Sequence, residues 1–105
     1  MSWRGLLKND WHKNRPLTPQ RKKEITSHRV ELFAHAVANR LDSNETVIEL
    51  DGEIFDINNP QHLIRMAKKG HLVYGFDERA GIGFDLNKPE NMNLFMIVMG
   101  QRGYN

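Results

Sequence analysis

"LFMIVM", Leu94 to Met99, is the longest uninterrupted apolar run in the chain, and its reading sets the number of strands. A run of six apolar residues suits a strand covered on both faces. The run is far shorter than a membrane span. Read as a strand, it closes a sheet whose other members must come from the residues before it.

Working backward, "YGFDERAGIGFDL", Tyr74–Leu86, looks half like a phosphate loop and half like an acidic turn. With Asp77–Gly81 as a five-residue loop, Phe76 faces Ile82, Tyr74 faces Phe84 and Leu72 faces Leu86, all on one face of an antiparallel hairpin. Gly75 and Gly83 then stand opposite each other and leave bare backbone, which marks close approach by another element or a ligand, a packed helix being the plain reading. "GIGFDL" lacks a third glycine and no helix pattern opens there, so a nucleotide cofactor is not expected.

Further back, "ETVIELDGEIFDI" carries Asp51-Gly52, the dipeptide of a two-residue type I′ turn. That turn pairs Leu50 with Glu53, Ile48 with Phe55 and Thr46 with Ile57, and gathers Ile48, Leu50, Phe55 and Ile57 on one face. Two helices flank this hairpin. "TPQRKKEITSHRVELFAHAVANRLD" starts at Thr18 as N-cap with Pro19 in the first position and runs to about Asp42–Asn44. Its expected inward stripe is Ile25, Leu32, Phe33, Ala36, Val37 and Leu41, widened by Val30 and Ala34. "NNPQHLIRMAKKG" is capped by Asn59, begun by Pro60 and stopped by Gly70. The sum is an α+β domain over residues 18–105: an antiparallel sheet of about five strands, two hairpins plus a C-terminal strand, packed by one long and one short helix. A sheet split into two hairpin layers around the long helix is the alternative.

At 105 residues the chain has room for one core. With no cysteine, it can form neither disulfides nor thiolate metal sites. There is no apolar core for secretion near the first residue, so the start reads as mature and the location as cytoplasmic. The net charge of +2 hides a division. Residues 1–29 hold eight Lys/Arg against Asp10 and Glu24, a net +6, and the remainder nets −4.

The first 17 residues form a basic leader. Trp3, Leu6, Leu7 and Trp11 fall on one face of a short helix, interleaved with Arg4, Lys8, Lys13 and Arg15. Arg21, Lys22 and Lys23 extend the charge into the long helix. Lysine and arginine neutralise phosphates, and indoles stack on exposed bases. The pattern therefore points to a small non-enzymatic binding protein that engages nucleic acid or a nucleoprotein. The same Trp and Leu face could instead dock in a protein groove, build a homo-oligomer, or fold back so that Trp3 and Trp11 complete the domain's own core. "MSWRGLLKND" resembles the start of many small proteins of marine bacteriophages, which often begin Met-Ser-Trp and reach a Leu-Lys-Asn/Asp element. The resemblance spans ten residues and implies a viral origin, hence the host cytoplasm, with no catalytic residues.

Other chemistry is less supported. Glu24, His28, Glu31 and His35 lie within about a 60° arc of the long helix, and imidazoles with carboxylates could hold a divalent metal. The bland reading is a solvated face of Glu–His pairs. Asp77, Glu78 and Asp85, or Glu49, Asp51, Glu53 and Asp56, could serve a metal-dependent hydrolase, but acids are equally at home in turns and on outer strand faces. No nucleophile motif accompanies the five histidines.

Overall fold

In the computed structural model, residues 18–73 and 83–104 are described. They form an α+β fold in the order α1 (Pro19–Asp42), β1 (Val47–Leu50), β2 (Glu53–Asp56), α2 (Pro60–Lys68) and α3 (Pro89–Gln101). The sheet has two antiparallel strands among the described residues, so the expectation of about five is overturned.

The largest correction is Leu94–Met99, which is the centre of α3 and not a strand. Pro89 occupies the start of this helix and Glu90 its first turn, both suited to a helix N-terminus. One side of α3, carrying Asn91, Phe95, Val98 and Met99, faces the core. Met96 and Ile97, on the other side, are 55% and 57% exposed. A helix sandwiched on one side only, with apolar residues on both, gives the same unbroken run as a doubly covered strand. Periodicity cannot separate the two.

The second expected hairpin is not formed by the residues of it that are described. Leu72 lies in the turn after α2, and Val73, Gly83, Phe84 and Asp85 lie outside any strand. Leu72, Phe84 and Leu86 are nonetheless buried, so their alternation reports burial without a ladder. Tyr74, Gly75, Phe76 and Ile82 lie outside the described residues. The first hairpin has the expected register, Leu50 opposite Glu53 and Ile48 opposite Phe55. Asp51 and Gly52 take φ of 51° and 80°, the two positive values that a type I′ turn requires.

The three helices among the described residues end alike. At α1, Glu45 N–H donates to Arg40 O and Asn44 N–H to Leu41 O. His71 and Gly70 repeat this on Met66 O and Ala67 O, and Tyr104 and Gly103 on Met99 O and Gly100 O. This is the Schellman arrangement, and Asn44, Gly70 and Gly103 supply its positive φ. The core is built chiefly by α1, whose buried residues Val30, Phe33, Ala34, Val37 and Ala38 form a stripe three and four apart. Ile25, Leu32, Ala36 and Leu41, expected inside, are only half-buried. Phe33 meets Phe84 edge-on at 5.6 Å and Phe95 at 5.8 Å.

Gly83 explains how the loop before α3 joins this core. Phe84 N–H donates to Ala67 O at 3.0 Å, and a Cβ on Gly83 would fall among the carbonyls of Ala67 and Lys68. Only glycine lets the backbones of loop and α2 touch. Asn91, buried at the start of α3, donates through Nδ2 to Asp85 O at 2.8 Å and so ties the same loop to the last helix.

Candidate nucleic-acid interface

The basic start of α1 is set by its cap. Thr18 Oγ1 accepts the Arg21 N–H at 3.1 Å and Pro19 follows in the first helical position. Arg21, Lys22 and Lys23 then project from the first two turns, all exposed. No residue from 18 to 29 is buried, so this stretch of about 17 Å at 1.5 Å per residue adds nothing to the core. Glu24 takes one contact with Arg21 at 3.4 Å, and with both side chains more than half exposed it holds the cation weakly.

The placement of these cations is electrostatically adverse. The N-terminal end of a helix carries a partial positive charge, and acidic residues there are stabilising. The first turn of α1 has none, and three cations stand beside it instead. An anion seated against Arg21, Lys22 and Lys23 meets both the side-chain charges and the helix dipole. Trp3, Arg4, Lys8, Trp11, Lys13 and Arg15 lie outside the described residues, as does Gly75.

The candidate metal stripe is divided. Glu24, His28 and Glu31 line a shallow open groove on the outer side of α1 with Gln20, Lys23 and Ser27. His35, one turn further, is instead beside Arg102. Among the described residues no three His, Asp or Glu side chains converge on one point where a metal could sit. The hairpin acids are largely engaged in structure. Glu53 pairs with Arg65 at 3.4 Å and with Lys69, Asp51 is 4.0 Å from His71, and Asp56 Oδ1 accepts the Asn58 N–H at 3.0 Å. Asp85 Oδ1 accepts the Asn87 N–H in a local turn, while Asp77 and Glu78 lie outside the described residues.

One constellation was not foreseen from sequence. Arg102 Nη2 donates to Asn39 Oδ1 at 2.6 Å and to Asp42 Oδ2 at 2.8 Å, while Nη1 lies 3.0 Å from His35 Nδ1. Tyr104 donates its hydroxyl proton to the other carboxylate oxygen of Asp42. The Tyr104 hydroxyl and, after it, Arg102 hold the Asp42 carboxyl below its ordinary value, and the same Asp42 contact pushes the Tyr104 phenol up. The sequence signal is Gly103: its left-handed turn places Arg102 and Tyr104 on either side of the chain reversal, both facing α1.

No protein-family model matches the chain, and neither the curated proteins nor the solved structures yield a match. None of the described helices is long and apolar enough to cross a membrane.

Proposed function

We propose that this is a small binding protein whose basic segment, residues 1–17 continued by Arg21, Lys22 and Lys23 on α1, engages nucleic acid or a nucleoprotein. The observation that carries this reading is the exposed, core-free start of α1 with its cations at the positive end of the helix dipole. That arrangement costs the free protein stability and favours a polyanion. Trp3 and Trp11 supply stacking surfaces for exposed bases in this reading. Titration of the full chain with labelled single- and double-stranded oligonucleotides at low and moderate salt tests it. Binding that weakens steeply with salt is expected, and an absence of binding at low salt ends the nucleic-acid version.

Docking to a protein is the second reading, favoured by apolar side chains left outside the core. Val47 and Ile54, diagonal neighbours on the outer face of the hairpin, are 62% and 63% exposed, in addition to Met96 and Ile97 on α3. The Trp3, Leu6, Leu7 and Trp11 face would add to such a contact, with a second copy as one partner. Mass in solution with and without residues 1–16 separates the two readings, because loss of an oligomer with the fold intact belongs to this one alone.

A further inference from the structure

The outer edge of β2 is closed by a side chain. Residues alternate along a strand, and Ile57 N–H points inward to Thr46 O, so Asp56 N–H points away from β1. It donates to His62 Nδ1, on the first turns of α2, at 2.7 Å. The ladder bonds to β1 fall on the alternate residues, so β1 offers this N–H no acceptor. The ring of His62 is half-buried, edge-on to the fully buried Phe55 at 6.3 Å. Accepting through Nδ1 requires a neutral ring with its proton on Nε2.

We propose that His62 is a proton-sensitive fastener between the hairpin and α2, closed while Nδ1 is bare and released when Nδ1 takes a proton. A proton and the Asp56 hydrogen bond occupy the same lone pair, so they exclude each other. Protonation also strands the Asp56 N–H, and an orphaned backbone donor beside the core is costly. The surrounding charges do not replace the lost contact. Arg65, one turn along α2, lies over the Phe55 ring at 5.0 Å and is paired with Glu53, which also holds Lys69. His71 covers Phe55 from another side at 5.6 Å and faces Asp51 at 4.0 Å. The Asp56 carboxylate is turned to its own loop, on Asn58 N–H.

His35 offers a comparison within the same molecule. Its Nδ1 is also used as an acceptor, by Arg102, but Arg102 has Asn39 and Asp42 besides. Loss of His35 leaves that donor satisfied, whereas loss of His62 leaves Asp56 N–H with no acceptor on β1. The proton therefore acts at the hairpin joint.

The test uses the full chain and nitrogen-15 NMR. At neutral pH His62 is expected with its proton on Nε2, and on acidification the Asp56 amide resonance should move with the same midpoint as the His62 ring. A ring carrying its proton on Nδ1 at neutral pH, or an Asp56 amide indifferent while the ring titrates, overturns the proposal. The variant His62→Asn keeps an acceptor near the Nδ1 position and cannot be protonated. The fall in Tm between pH 8 and pH 5 should be smaller in it than in the parent chain. An equal fall in both proteins also overturns the proposal, and if the variant does not fold, the NMR result on the parent chain decides.

Discussion

Arg102, the C-cap of α3, sits 2.8 Å from the carboxylate of Asp42, the last residue of α1. Phe33 beside Phe95 and Arg102 beside Asp42 show that the two helices run the same way, with their C-termini together. Two negative dipole ends then lie side by side, and the acidic Asp42 adds to them. The Arg102 guanidinium, only 25% exposed, is placed where it offsets all three. Arg102→Ala should lower Tm by a few degrees. Adding Asp42→Asn to that background should change it little, because the two residues act as a unit. A double-mutant cycle by thermal denaturation checks this, and additive losses would deny the coupling.

The same cluster sets a pH window. Asp42 is held below its ordinary value, first by the Tyr104 hydroxyl and then by Arg102, so it contributes stability that is full above about pH 5 and disappears as pH falls through its lowered folded value. Tyr104 is raised, first by its hydrogen bond to Asp42, so its contribution is full below about pH 10 and is lost as pH rises through the raised folded value. Both describe one hydrogen bond seen from its two ends. Tyr104→Phe should remove this alkaline loss and weaken the acid one, as read from Tm across pH 3–11, a range of about eight units chosen to span both groups.

Two glycines should respond differently to alanine. Gly103 has φ of 91° with open space around it, so Gly103→Ala should cost only the backbone strain, about 1–2 kcal/mol. Gly83→Ala puts a methyl group into the carbonyls of Ala67 and Lys68, forcing the loop off α2. Its cost should exceed that of Gly103→Ala and take most of the stability of a small domain. Urea unfolding of the two variants gives the order directly.

The two sides of α3 should differ sharply. Met96→Lys and Ile97→Lys are expected to change stability by no more than about 0.5 kcal/mol, since both side chains are more than half exposed. Phe95→Ala, which removes the ring packed against Phe33, should cost about 3–5 kcal/mol. Equal intolerance at all three positions would restore the doubly covered strand.

Charge reversal at the start of α1 separates binding from stability. Replacing Arg21 and Lys22 with Glu should raise Tm slightly, because acids suit the helix N-terminus, while nucleic-acid affinity falls. The salt dependence should flatten by about one unit of log–log slope for each phosphate contact removed. A Tm that drops with the affinity would mean that these cations serve the fold instead.

Much of the architecture was written in local signals. Thr18-Pro19 and Asn59-Pro60 start helices because the cap oxygen accepts one orphan N–H of the first turn while the proline has no N–H to leave unsatisfied. Asp51-Gly52 sets the hairpin register through two positive φ angles, and Gly70 ends α2 by a third. These are short-range effects, and none depends on what the element packs against. The basic cations of α1 and their exposure were equally legible, since charge rarely enters a core without a partner.

What only the tertiary structure decided is which faces are used. Leu94–Met99 is apolar on every side, so whether it lies in a sheet or beside α1 depends on Phe33, Phe84 and Phe95 meeting in one cluster. The alternation around Gly83 records inward-facing side chains, but the partner of that backbone is the end of α2 and not another strand. Arg102 and Asp42 are 60 residues apart, and His62 and Asp56 meet across a turn and a helix start. Hydrogen bonds of this kind are short-ranged and directional, so they form only after packing has brought the donor to within about 3 Å of its acceptor.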